Sequence, residues 1–156
     1  MRHEYFLEQV VNNARVNVSD GGGPFAALVV CAGKIIGSGV NRVTSMCDPS
    51  AHAEVMAIRD ACNKLSSHQL TGCILYSSCE PCPMCLGAIY WSRLDKVYYA
   101  ATHQQAAQAG FDDSHIYQQI NVEPGNRVIP FQHMALSSAF KPFEAWNDAA
   151  GSRIDY

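Results

Sequence analysis

A strand-like run, Cys73-Ile-Leu-Tyr-Ser-Ser78, leads through Cys79-Glu80-Pro81-Cys82-Pro83-Met84-Cys85 straight into an apolar helical run, Leu86-Gly-Ala-Ile-Tyr-Trp91. Few segments restrict a fold more, because the strand has to end, and the helix begin, at the cysteines. Pro81 and Pro83 suit the first turn of a helix, where a missing N–H costs nothing. Cys82 and Cys85, three positions apart, then share one face near the positive end of that helix. A low-pKa thiolate is favoured there, and thiolates are soft zinc ligands. Two thiolates do not complete a zinc site, so a third ligand has to come from elsewhere.

The best candidate lies upstream in Pro49-Ser50-Ala51-His52-Ala53-Glu54. His52 offers an imidazole, and Glu54 follows two residues on, at the start of the amphipathic run Ala51 to Leu65. His-x-Glu followed by Pro-Cys-x-x-Cys is the pattern of zinc-dependent nucleobase deaminases. Three protein ligands leave a fourth zinc position for water, which marks a catalytic site rather than a closed structural one. Standing alone, Cys-x-x-Cys also fits a redox pair or two buried thiols. His52, Glu54 and the proline before the first thiolate weigh against those readings. Cys79 and Cys82 form a competing Cys-x-x-Cys, but Cys79, at the strand end, reads as a packing cysteine.

Composition bounds the rest. A chain of 156 residues buries roughly two-thirds of its unfolded surface, so a single domain, 1–156, is expected. Apolar residues make up 48% and charged ones 16%, an ordinary globular balance. No apolar run reaches the length of a membrane span, and no basic-then-apolar start suggests a signal peptide. The seven cysteines are an odd number without disulfide-framework spacing, which predicts a reducing, cytoplasmic location. A net charge of −3 with scattered Lys and Arg argues against a nucleic-acid partner and for a small neutral substrate.

In chain order, His3 to Val18 reads as a packing helix with Phe6, Leu7, Val10, Val11, Ala14 and Val18 at helical spacing. Gly21-Gly22-Gly23-Pro24 breaks it as a tight connection. Phe25 to Cys31 and Lys34 to Val40 read as a hairpin turned at Ala32-Gly33. Asn41 ends the second strand, as a turn residue or as a ligand contact. A polar loop follows from Ser45 to Ser50, with Ser50 a candidate N-cap. Ala53, Ala57, Ala61 and Leu65 form a small-residue face suited to packing on a sheet. Lys96 to Ala101 is another strand-like run, and strands alternating with helices indicate an α/β layer with parallel neighbours. His103 to Asp113 is polar and rich in Ala and Gln. Asp113 reads either as a helix cap, the simpler option, or as a site acid. Arg127 to Met134 reads as a last, proline-interrupted edge strand. Phe140, Phe143 and Trp146 close the chain with an aromatic tail, either docked or with loose last residues.

On these residues the chain resembles the cytidine-deaminase-like superfamily, and within it is most similar to the bacterial guanine deaminases, essentially end to end. The matching pieces are Gly22-Gly-Pro-Phe25, Asn41, Asp48-Pro-x-Ala-His-Ala-Glu54, Ser78 to Trp91, Ala109-Gly-Phe-Asp-Asp-Ser114, Pro142-Phe143 and the tail ending in Tyr156. The resemblance implies a three-layer α/β/α fold around a five-stranded mixed sheet. It also implies a homodimer whose C-terminal tail, about 140–156, is exchanged and closes the partner's site. Zinc is expected on His52, Cys82 and Cys85. Glu54, Asp113 and Glu144 are the expected acids and bases, although the position of Glu144 varies among relatives. Phe25, Asn41, Ala53, Trp91, Asp113 and Tyr156 of the partner subunit are the expected substrate contacts.

The implied reaction is hydrolytic deamination of guanine to xanthine and ammonia. Guanosine, cytosine or an amino-triazine are alternative small substrates, since pocket size is not written in sequence. A tRNA adenosine deaminase shares both motifs but calls for a basic surface. A non-catalytic zinc module would need a fourth protein ligand, with Cys79 the candidate.

Overall fold

The structure, a computed structural model, describes residues 2–149 and 151. In chain order it contains α1 (His3–Ser19), β1 (Ala26–Cys31), β2 (Lys34–Val40), α2 (Val43–Met46), α3 (Ala53–Leu65), β3 (Cys73–Cys79), α4 (Pro83–Trp91) and β4 (Lys96–Ala101). These are followed by α5 (His103–Gln108), α6 (Ser114–Ile120), a 3-10 turn at Pro124–Asn126 and α7 (Lys141–Asp148). The residues divide into two compact units, one ending at Tyr117 and one beginning at Gln118.

In the first unit the period of a strand builds three layers. Ala26, Leu28 and Val30 of β1 pack with Phe6, Val10 and Ala14 of α1. The residues between them, Ala27 and Val29, pack on the other side with Ala53, Ala57 and Ala61 of α3 and Ile89 of α4. Val11 and Val18, expected on the packing face of α1, are exposed, as is Leu65 at the end of α3. The buried stripe of α1 ends instead on a polar residue, Asn17. The face of α3 lies close to the sheet because it is made of alanine and meets glycine: a Cβ at Gly37 would run into the Ala57 carbonyl, and one at Gly39 into that of Ala53.

Among the described residues the sheet has four strands in the order β2-β1-β3-β4. β1 runs antiparallel to β2 and β3, and β3 runs parallel to β4, so the sheet is mixed. Ala32 and Gly33 both take positive φ, the geometry of a two-residue hairpin whose twist matches its strands. Helix α4 is the crossover that a parallel β3–β4 pair requires. No described helix is long and apolar enough to cross a membrane.

The expected fifth strand is not formed: Arg127 to Met134 carries no strand pairing. Pro130 has no N–H to give to a ladder. The N–H of Val128 goes to Gln119 Oε1 at 2.8 Å and that of Phe131 to the Pro124 carbonyl at 2.9 Å. These donors are satisfied by local contacts inside the C-terminal unit. The stretch His103 to Asp113, read only as polar and rich in Ala and Gln, contains α5, opened by a capping box in which Thr102 and Gln105 satisfy each other's backbone N–H.

Candidate functional site

Two helix N-termini deliver the three expected ligands. His52 takes the N-cap position of α3 and Cys82 that of α4, both with extended backbone, and Pro83 opens α4 behind Cys82. Ser50 is not the cap. Its N–H and hydroxyl both bond Asp48 Oδ1, at 2.8 and 2.7 Å, closing the turn that presents His52. Cys85 is fully buried in the first turn of α4. The positive ends of both helices favour thiolates at this point.

His52 Nδ1 lies 3.5 Å from Cys82 Sγ and 3.6 Å from Cys85 Sγ, and the two sulfurs are 3.6 Å apart. Tetrahedral zinc, with its usual bonds to sulfur and imidazole, holds such atoms about 3.5–3.8 Å apart, so the residues fit that metal. Cys79 is not part of the cluster. Its Sγ lies 3.8 Å from the Thr102 carbonyl, and burial pushes its thiol up to about 11. It therefore packs as a neutral thiol, as expected.

The hydrogen bond between the two cysteines, joined by that with His52, pulls the Cys82 thiol down to about 4. The same Cys85 bond, with burial, pushes the Cys85 thiol up, so one thiolate is shared across the pair. The hydrogen bond to Cys82 raises His52 against the opposing effect of burial. Glu54, in the first turn of α3, is 5% exposed, and burial raises its carboxyl above the ordinary range. Ser77 Oγ donates to Glu54 Oε1 at 2.8 Å, and Cys85 Sγ donates to Oε2 at 3.4 Å. A buried, protonatable carboxyl thus stands beside the ligand atoms.

A cavity of about 540 Å³ opens onto this cluster and is lined by Phe25, Asn41, Ala53, Glu54 and Asp113, all expected at the site. Asn41 Oδ1 accepts the Val43 N–H at 3.3 Å, closing a turn as one of its two expected roles requires, and the residue also lines the cavity. Asp113 also lines it, whereas the neighbouring Asp112 accepts the Ser114 N–H at 2.9 Å, the capping type of bond expected of Asp113. Trp91 does not line the cavity and is 65% exposed. Six helical positions past Cys85, it points about 240° away from it around the helix axis. Glu144 is exposed on α7 in the C-terminal unit, and Tyr156 lies outside the described residues.

Other contributors carry little sequence signal. Phe111 meets Phe25 edge to face, centroids 5.0 Å apart, and both line the cavity. Asn17, 2% exposed, donates from Nδ2 to the carbonyls of Gly23 at 2.8 Å and Asn41 at 3.0 Å. It fits only because Gly22 beside it lacks a Cβ. Glu80 Oε2 accepts from the His103 N–H at 3.0 Å and pairs with its Nδ1 at 2.9 Å. The parallel register Cys79↔Ala101 explains that pair, since the residues after the two strands must meet.

Residues 1–101 match the family described as the cytidine and deoxycytidylate deaminase zinc-binding region. Over 154 residues the chain is 53% identical to the guanine deaminase of Bacillus subtilis (strain 168), across 98% of this chain and 99% of that one. An X-ray structure of guanine deaminase from Bacillus subtilis superposes with a TM-score of 0.97, covering 100% of this chain and 99% of that one. A guanine deaminase structure from Nitrosomonas europaea aligns at 36% identity with a TM-score of 0.67, over 69% and 63% of the two chains. The tRNA-specific adenosine deaminase of Aquifex aeolicus (strain VF5) is 42% identical over 101 residues, 65% of this chain and 67% of that one.

Proposed function

The chain belongs to the family of zinc-binding cytidine and deoxycytidylate deaminases, and from that premise we propose that it is a zinc-dependent aminohydrolase converting guanine and water to xanthine and ammonia. The observation that carries the reading is the near-complete match to a guanine deaminase in a chain whose buried Glu54 adjoins a His-Cys-Cys cluster. The cavity volume of about 540 Å³ falls in the range of small-molecule sites.

Zinc held by His52, Cys82 and Cys85 supplies, when bound, an electrophilic centre that acidifies water toward neutrality. Glu54 takes a proton from the attacking water and delivers it to N3 of guanine, which makes C2 electrophilic as the new C–O bond forms. Glu54 then moves the second proton toward the amino nitrogen, the C2–N bond breaks and ammonia leaves. Two transfers to two different nitrogens suit two acids. Asp113, lining the cavity, and Glu144, on α7, are the candidates to assist Glu54 in the second. Phe25 and Phe111 form an apolar wall for the ring, Asn41 offers polar contact to its edge, and the Ala53 side chain leaves room beside Glu54.

We also propose a homodimer in which the tail, about 140–156, is exchanged and brings the partner subunit's Tyr156 to the base. Leu86, Tyr90 and Tyr99 share a second groove and are exposed, as are Phe140 and Phe143 of the tail. Apolar surface of this kind fits an interface. The seven cysteines are unbridged, in keeping with action in the reducing cytoplasm. The net charge of −3 favours a small base over tRNA.

The test is ammonia release by the zinc-loaded chain from guanine, guanosine, adenine, cytosine and an amino-triazine. Guanine should have the highest kcat/KM. A preference for another substrate, or no release from any, overturns the assignment. Light scattering at twice the protomer mass supports the dimer, and a monomer at working concentration refutes it.

A further inference from the structure

The proposed chemistry demands that one oxygen of Glu54 face the reacting atoms, yet a carboxylate can rotate about its last bond. We infer that Ser77 is the positioning residue that fixes this rotation, an inference that rests on the role proposed for Glu54 above. Ser77 lies on β3 and is 1% exposed. The strand alternates, so Cys73, Leu75, Ser77 and Cys79 face α3 while Tyr76 and Ser78 face α1. Ser78 Oγ is spent on the Ala26 N–H at 3.0 Å. Ser77 Oγ instead accepts the Cys79 N–H at 3.5 Å and donates to Glu54 Oε1 at 2.8 Å. The acceptor bond orients the hydroxyl, and the donated bond ties down one carboxylate oxygen. Oε2 is left as the oxygen on the ligand side, 3.4 Å from Cys85 Sγ. In so dry a position no solvent can replace the serine, and an alanine would leave Oε1 without this donor.

The experiment compares wild type with Ser77→Ala and Ser77→Thr, alone and combined with Glu54→Gln, measuring kcat and KM for guanine, zinc content and melting temperature. Loss of a buried hydrogen bond to a carboxylate costs roughly 10- to 100-fold. The expected result is such a fall in kcat for Ser77→Ala, with KM within about threefold of wild type and zinc retained. Ser77→Thr, which keeps the hydroxyl, restores turnover. In the Glu54→Gln background Ser77→Ala has no further effect, because there is no proton-carrying oxygen left to orient. An unchanged kcat in Ser77→Ala, equal losses for Ala and Thr, or the same further fall in the Glu54→Gln background overturns the inference. Should Ser77→Ala lose zinc or fail to fold, Ser77→Cys, similar in size and a weaker donor, decides: lower kcat at constant KM supports the role, and wild-type kcat refutes it. A wild type that releases no ammonia from guanine overturns both this and the proposed function. An active wild type with an unimpaired Ser77→Ala overturns this inference alone.

Discussion

Replacing Glu54 by glutamine separates chemistry from architecture. The two side chains have nearly the same shape, and Glu54 is 5% exposed, so the substitution leaves no cavity. Glutamine Oε1 can keep the hydrogen bond from Ser77, now 2.8 Å long. Its amide nitrogen takes the place of Oε2, 3.4 Å from Cys85 Sγ, and can donate to that sulfur when it is a thiolate. What is lost is the ability to accept and release a proton. General acid–base catalysis contributes about 10²- to 10⁴-fold, equivalent to roughly 3–5 kcal/mol of barrier. Ammonia release by the zinc-loaded variant should fall by at least that factor, because Glu54 serves both transfers. Stability should move the other way. Burial raises the Glu54 carboxyl, so above the ordinary carboxylate range the unfolded chain ionises more readily than the folded one. The folded metal-free chain therefore bears a cost there that glutamine does not. Zinc content by atomic absorption should be unchanged, and the melting temperature of the metal-free variant at pH 7 equal or higher. Retention of most of the activity refutes the acid–base role, and loss of zinc with activity refutes the separation of ligand from base.

Three further outcomes follow from the same geometry. Gly39→Ala drives a Cβ into the Ala53 carbonyl, an overpacking that should cost about 1–3 kcal/mol in urea unfolding, and an unchanged midpoint would mean α3 can retreat. Asn17→Ala strips the donor from the Gly23 and Asn41 carbonyls, at roughly 1–3 kcal/mol, and should raise KM for guanine by displacing Asn41; an unaltered KM dissociates Asn17 from the cavity. Asp48 is lowered by its bonds from Ser50, so its contribution to stability is present above the ordinary carboxylate range and is lost as pH falls through its depressed value. Asp48→Ala should accordingly destabilise at pH 7 and much less near pH 2, and an equal effect at both pH values refutes the link.

Residues whose placement is set by a short stretch of chain are legible in the sequence, and those placed by distant partners are not. His52, Glu54, Cys82 and Cys85 are legible because their spacing within each short segment is itself a helix-terminus pattern, and helix ends place side chains where the local sequence says. The hairpin is legible for the same reason, since Gly33 between two strand-like runs accepts positive φ without cost, and Ala32 beside it is drawn into the same region. The fifth strand failed at a different level. Val128, Ile129 and Phe131 have strand-like chemistry, but pairing is not local, and the N–H groups of Val128 and Phe131 found nearer acceptors in Gln119 and Pro124. Helix α5 was hidden because its stabilisation comes from Thr102 and Gln105 at its mouth and not from an apolar face, a capping pattern that a periodicity reading passes over.

The partners of the site residues are the least legible of all, and the reason is topological. Asn17, Ser77 and His103 lie on α1, β3 and α5, and each acts on a residue 23 or 24 positions away or, for Asn17, also on Gly23. No composition or period marks them, because each looks like an ordinary polar residue until the sheet order is known. Once that order is fixed, two of the contacts become deducible. Ser77 faces α3 because Leu75 two residues earlier must, and α3 begins at Ala53, so Ser77 meets its first turn and Glu54. Glu80 lies one residue past β3 and His103 two past β4, and a parallel pair in register carries those two ends to the same edge. The ligands are thus specified by their segments, while the groups that orient them are specified by the β2-β1-β3-β4 order. A variant that preserves every motif but disturbs this order would keep the sulfur and imidazole donors and lose the aim of the carboxylate.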